Sequence, residues 1–512
     1  MNALWAALTG LGDQLAAHVL LSAAALMLGT LVALPLAVWA NRSRRVARAA
    51  LGFASLVQTI PSLALLALFF PLLLSLRAVF GDGLPTLGFL PALFALSLYA
   101  LLPILRNAVT AQDNLDPGVI EAADGVGMSP SQRLWLVEAP LAAPYVMAGI
   151  RTAAVWTIGA ATLATTVGQK SLGDPIFAGL QTQNWALVLA GCIASAALAL
   201  TADSLLGLAE RGFRQGRRGL LLVSMAALAL GIATALVAQS GGSEDEGRIV
   251  IGAKGFSEQY ILARLIGQQL QSAGFAVEYR DALGSAVAHS AAASGDIDVY
   301  VDYTGTIWTN QMKRQDTVPR EQMLAEIESW EAANTGIRVL GRLGFENAYG
   351  LALEAEVATF GQFVSIADVA ERGQAMVIGG DPEFFERPEW IAVRDAYGLR
   401  FADQRTFSPT FMYNALLSGE ADIIGAYTSD GRIEADNLYI LKDPRGAFPN
   451  YDAVILLSPD TAERSDIIAT LRPLIGAIDV EAMREANYSV DREDDKLGFD
   501  AAARLLAARA GL

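Results

Sequence analysis

Two histidines and one cysteine are all that 512 residues provide of the side chains that most often carry metals and acid–base chemistry. Cys192 has no partner within the chain, so no intrachain disulfide forms, and no CxxC or Cys/His spacing offers a metal site. With only His18 and His289, catalysis built on histidine has little to work with. A phosphate loop of the form GxxxxGK[ST] is missing too. The segment Gly168-Gln-Lys-Ser171 lacks both its spacing and its second glycine. Nor is there a basic stripe. The net charge is −16, with 13 Lys and Arg against 12 Asp and Glu in residues 1–245 and 24 against 41 in the rest. An acidic soluble part repels nucleic acid. These absences exclude a nucleic-acid partner and argue against an enzyme; no metal or cofactor is expected in this chain.

What the sequence has instead is length of apolar run. A helix needs roughly 20 apolar residues to cross about 30 Å of hydrocarbon. Six stretches qualify, at about 16–40, 50–76, 88–106, 145–167, 184–208 and 219–239. Cytoplasmic loops carry the excess of Lys and Arg. Arg42, Arg44, Arg45 and Arg48 place the first loop inside, and Arg211, Arg214, Arg217 and Arg218 place the fifth inside. Both hold only with the N-terminus outside, the long third loop inside, and everything after Ser240 outside. Arg217-Arg218 before an apolar run ending Ala235-Leu-Val-Ala238 also resembles a cleaved secretory signal. Either reading delivers the C-terminal part outside. The expected domains are a membrane domain over 1–240, a flexible linker over 241–247, and a soluble domain over 248–512. Pro61 and Pro103 are expected to kink their spans.

The third loop, at about 117–144, carries a motif. Glu121-Ala122-Ala123, then Gly127, then Val137-Glu-Ala139-Pro140 resembles the coupling-loop signature of ABC-importer permeases: EAA, three residues, Gly, nine residues, I-x-L-P. Val137 and Ala139 replace the usual Ile and Leu but stay apolar. A short helix from Pro117, a break at Gly127 and a second helix capped by Ser129-Pro130 follow from local propensity. The resemblance implies that Glu121, Ala122, Ala123, Gly127 and Pro140 meet a separate cytoplasmic ATP-binding subunit, in two copies, which uses the ATP and Mg. It also implies that the chain pairs with a second copy of itself. Gln58-Thr-Ile-Pro-Ser, Tyr99-Ala-Leu-Leu-Pro-Ile-Leu-Arg-Asn107, Gly149-Ile-Arg-Thr-Ala and Ser171-Leu-Gly-Asp-Pro are similar to permeases of osmoprotectant importers. Gln169-Lys170-Ser171 departs from their small residues.

Beyond residue 248, short strand-like runs alternate with helical ones. The alternation predicts a two-lobed α/β domain with mainly parallel sheets. Lobe 1 is expected at about 248–346 and 454–512, and lobe 2 at about 347–453. Gly252-Ala-Lys-Gly-Phe-Ser-Glu-Gln259, Asp302-Tyr303-Thr-Gly-Thr306, Asn347-Ala-Tyr349, Ala426-Tyr427-Thr-Ser-Asp430 and Phe448-Pro-Asn-Tyr451 resemble quaternary-amine receptors. The fold class implied is an all-α permease of the binding-protein-dependent type followed by a periplasmic-binding-protein domain, set in the cytoplasmic membrane.

Tyrosine suits that ligand class. A trimethylammonium group has no N–H to donate, and ring faces hold its spread charge at roughly 0.5–2 kcal/mol each. By resemblance Tyr303, Tyr349, Tyr427 and Tyr451 form the box. Gln259 and Thr306 take the ligand's polar end, and Asp430 orients the box or meets a hydroxyl or cation. Glu258 and Asp302 read as structural. The expected function is ATP-driven import of glycine betaine, choline or carnitine, with ergothioneine as the alternative in the same class. A ligand-sensing receptor without transport is the alternative of another class.

Overall fold

The computed structural model describes residues 2–512 apart from 82–83, 183, 241–246, 315, 317, 382–383 and 493. The expected linker at 241–247 therefore lies, Gly247 excepted, outside the described residues. The chain forms two compact units, one built from residues 1–177 and 185–244, the other carrying 245–512.

The first unit is helical. Six of its described helical segments are long and apolar enough to span a bilayer: Gly12–Arg42, Ser62–Phe80, Phe89–Asp113, Pro130–Val167, Trp185–Gln215 and Arg218–Gln239. The second differs from the expected 50–76. Arg44–Thr59 is a separate helix capped by Ser43, and the chain breaks at Ile60, which is extended (φ −74°, ψ 127°), before Ser62. Proline at 61 disfavours helical geometry in the residue before it, so it divides the run where a kink was expected. Pro103, by contrast, stays inside its helix. It cannot donate to the Tyr99 carbonyl, and the Gln58 side-chain amide donates there instead at 3.4 Å. The Tyr99 hydroxyl in turn donates to the Ile60 carbonyl at the break.

Small residues let these helices approach. Ala25, Gly29, Ala33 and Ala37 recur every fourth residue on Gly12–Arg42 and are buried. A Cβ on Gly29 would lie 2.8 Å from that of Ala100. Small residues at this spacing are how membrane helices gain packing that water cannot drive. Arg151 is held by Asp203 at 3.0 and 2.9 Å and by Glu210 at 2.7 Å. Gly207, between those acids on one helix face, leaves room for the guanidinium.

The second unit contains two five-stranded sheets. The strands are β1 (Ile249–Lys254), β2 (Val277–Leu283), β3 (Val299–Tyr303), β4 (Arg338–Glu346), β5 (Tyr349–Glu354), β6 (Val377–Gly380), β7 (Asp403–Thr406), β8 (Ile423–Tyr427), β9 (Leu438–Ile440) and β10 (Asp452–Leu457). Their orders are β2-β1-β3-β10-β4 and β7-β6-β8-β5-β9. The sheets are mixed, not mainly parallel. β1 pairs β2 and β3 in parallel, while β10 is antiparallel to β3 and β4. In the other sheet β6 pairs β7 and β8 in parallel, while β5 is antiparallel to β8 and β9. The antiparallel members are the strands at the crossings. The chain leaves one sheet after Glu346 and returns at Asp452, so β5 and β10 enter from the end at which their neighbours leave. The two crossing segments are tied by the Asn347 N–H donating to the Tyr451 carbonyl at 3.0 Å.

Candidate functional site

Sheet register places the aromatic cluster. Tyr349 on β5 lies directly opposite Tyr427 on β8. Cross-strand partners share a face, and the two ring centroids are 4.9 Å apart. Tyr451 comes off the returning crossing segment, its ring perpendicular to Tyr349 at 6.3 Å. That ring occupies the space a side chain at Gly305 would need, because a Cβ there would meet it at 2.4–2.6 Å. Phe384 closes the cluster from behind, 5.2 Å from Tyr349. Three of the four expected tyrosines are thus brought together.

Tyr303, at the end of β3, is held from the other lobe. Its ring stacks on Phe256 at 6.3 Å, and its hydroxyl donates to Glu258 at 2.5 Å. Gln259 donates to the same hydroxyl at 3.0 Å and accepts from the Lys254 N–H at 3.4 Å. Gln259 therefore positions Tyr303. Thr306 is buried in the short helical turn that follows Tyr303. Asp430 lies apart from the rings, with its carboxylate taken by Arg432 at 2.6 and 2.9 Å. Arg432 stacks 3.9 Å from the Tyr413 ring, and the Tyr413 hydroxyl accepts from the Tyr427 N–H at 3.2 Å. Asp430 thus reaches the cluster only through this support.

Several side chains at the cluster gave no signal in the sequence. Asp381 accepts from Tyr427 at 2.8 Å and from Tyr349 at 3.3 Å. Glu389 accepts from the Tyr451 hydroxyl. Arg387 places its guanidinium 5.4 Å from the Tyr349 ring centroid and 3.5 Å from Glu389. Glu258, which looks structural in sequence, also accepts from Asn347 at 3.1 Å and Asn487 at 2.9 Å, joining the first crossing segment to the helix Val480–Asp491. The one available clue was Gly379-Gly-Asp381 at a strand end, followed by Phe-Phe-Glu-Arg387-Pro-Glu389. Asp302 fits the structural reading: it pairs with Lys254, and both are buried.

Burial pushes the Tyr303, Tyr427 and Tyr451 hydroxyls well above their usual range, and neighbouring carboxylates add to the shift. Burial raises Glu258 as well. For Arg387, burial works to lower the guanidinium, but Tyr349, Tyr451 and Glu389 outweigh it and hold it above the usual range. The cluster presents neutral phenols beside a cationic arginine.

The loop in the helical unit is a built hairpin. Asp116 caps the helix Pro117–Gly125, Gly127 takes a left-handed φ of +78°, and Ser129 with Gln132 closes a capping box on the next turn. Arg133 staples the two arms, bonding both Asp124 oxygens at 2.8 Å and Glu138 at 2.8 Å. Glu121, Ala122 and Pro140 are exposed and Ala123 is buried, while Val126, Trp135 and Leu136 project apolar surface. Such exposed apolar groups on a capped hairpin suit a protein partner.

Six apolar helices with this hairpin, followed by a two-lobed α/β domain, define a binding-protein-dependent permease joined to its solute receptor. It is a multi-pass inner-membrane protein whose receptor is of the extracytoplasmic type. Residues 25–215 match the binding-protein-dependent transport system inner membrane component, and residues 247–508 match the substrate binding domain of the ABC-type glycine betaine transport system. The chain belongs to that transport family, as a fused permease and substrate-binding domain, and is a transport component. It is 31% identical over 448 residues to the ergothioneine transport permease/ergothioneine binding protein EgtU of Helicobacter pylori (strain G27), covering 85% of this chain and 78% of that one. It is 41% identical over 194 residues to the choline transport system permease protein OpuBB of Bacillus subtilis (strain 168), covering 38% of this chain and 84% of that one. A solved glycine betaine/carnitine/choline ABC transporter structure aligns with 51% of this chain and 98% of its own, at 22% identity and a TM-score of 0.47.

Proposed function

We propose that this chain imports a trimethylammonium zwitterion bearing a carboxylate, driven by a separate ATP-binding subunit. The observation that carries the reading is Tyr427 and Tyr451 each in ring contact with Tyr349, with Arg387 over the Tyr349 ring. Ring faces suit the methylated cation, and a guanidinium suits a carboxylate. Glycine betaine and carnitine carry both groups. Choline carries only the first and is the weaker candidate.

Ergothioneine is the second reading. It joins a trimethylammonium and a carboxylate to a thione ring, and the fused relative from Helicobacter pylori bears its name over both halves of the chain. The choline permease relative matches only 38% of this chain. The ligand is chosen in the receptor half, so the fused relative bears more directly on the choice.

In this reading two copies of the chain line the pathway, and two ATP-binding subunits dock on the Glu121 hairpins, supplying ATP and Mg. This chain itself carries no cofactor. The test is calorimetric titration of the full chain in lipid nanodiscs with glycine betaine, carnitine, choline and ergothioneine. Saturable binding of a carboxylate-bearing member, tighter than choline, is expected. Binding of none of the four, or choline tightest, would sink the reading.

A further inference from the structure

Burial requires each phenol hydroxyl to find a partner, and any carbonyl would serve. The three clustered tyrosines, and Tyr303 apart from them, each reach a carboxylate, although the Tyr349 hydroxyl also meets that of Tyr427 at 3.2 Å. Tyr303 donates to Glu258, Tyr349 and Tyr427 both reach Asp381, and Tyr451 donates to Glu389. The three acids come from two segments, Glu258 from one and Asp381 and Glu389 from the stretch that follows β6, and each is 3% exposed. A buried carboxylate is expensive to keep ionised, so their repeated use where a neutral acceptor would do calls for a reason.

We propose that Asp381 and Glu389 form a charged layer behind the three clustered rings, with Asp381 the specificity-determining member. It takes two hydroxyls at once, turns both away from the ligand as donors, and sends electron density and its own negative field through the ring faces. The consequence is preference for a permanent cation over a neutral molecule of the same shape. The inference rests on the proposed function and refines it. Arg387, next to Glu389, keeps the field one-sided: anionic behind the rings and cationic where a carboxylate would lie.

The test compares Asp381→Asn with wild type, as full chains in nanodiscs. Asparagine keeps the shape and removes the charge, and its one oxygen can still accept the hydroxyls; the Phe384 N–H that Asp381 Oδ1 accepts at 3.0 Å loses its acceptor, a loss that falls on cation and isostere alike. The probes are glycine betaine and ergothioneine, with 3,3-dimethylbutanoate as the carbon isostere of betaine, measured by competition. We expect the trimethylammonium ligand to weaken about tenfold, as loss of one charge within several ångströms implies, and the isostere to stay within about twofold. Tyr427→Phe keeps the ring and removes the donor. It should move the same ratio, with no further change when combined with Asp381→Asn, so a poorly folded Asp381 variant leaves a second route to the answer. Equal loss of cation and isostere would overturn the charged layer and leave the function intact. A wild type that binds neither trimethylammonium compound would overturn both.

Discussion

Tyr427 has three tasks at once: its ring meets Tyr349, its N–H donates to Tyr413, and its hydroxyl donates to Asp381. Removing the ring should therefore cost more than one contact. Tyr427→Ala is expected to weaken a trimethylammonium ligand by tenfold or more, since one ring contributes roughly 0.5–2 kcal/mol and its neighbours lose their setting. Titration of the variant, with circular dichroism to confirm the fold, checks this. A change below about twofold would remove Tyr427 from the site. Asp491 offers a pH handle. It is half-buried, accepts from Ser257 at 2.7 Å, and desolvation lifts it to about 7 against the opposing pull of Arg432. Its folded value lies above its unfolded one, so its contribution to stability is complete below about pH 4 and is lost as pH rises through about 7. Asp491→Asn should raise the melting temperature at pH 8 and flatten the decline between pH 5 and 8. An unchanged melting profile would contradict this. The tyrosines were legible because motif and chemistry coincide in them. Asp381 and Glu389 were not, because a carboxylate in a loop carries no mark of the phenol it will meet across the fold.

Elements tell a similar story of local signals read well and long-range ones missed. Apolar runs marked the spans, and Asp116, Gly127 and Ser129 marked the hairpin, since caps and turns are decided within a few residues. The second span was read too long because apolar residues continue through Arg44–Thr59 and hide the break that Pro61 makes. Strand direction at the crossings was invisible for another reason: β10 returns more than a hundred residues after β4 begins, and its sense depends on where the chain re-enters. Two substitutions test element packing. Gly305→Ala places a methyl within 2.6 Å of the Tyr451 ring, so ligand binding should fall while the melting temperature drops by an amount corresponding to about 1–3 kcal/mol. Full affinity in that variant would mean the Tyr451 ring contributes nothing to binding. Arg133→Ala cuts the staple across the hairpin. Ligand affinity should be unchanged, while the ATPase rate of the assembled transporter should lose its stimulation by substrate. Normal stimulation would show that the staple does not carry coupling.

For the molecule as a whole, the account requires that one chain present a tyrosine cluster to the outside and a docking hairpin to the inside. Parity supplies this: six crossings, starting outside, return the chain to the outside after the last. The division into two units and the match of two family descriptions to the two halves agree with that plan. The direct measurement is side-specific labelling with a membrane-impermeant maleimide in a Cys192→Ser background, using Ser131→Cys in the hairpin and Ser272→Cys in the receptor, both exposed positions. In spheroplasts, Ser272→Cys should label at once and Ser131→Cys only after the membrane is permeabilised. Labelling of both before permeabilisation would contradict the account.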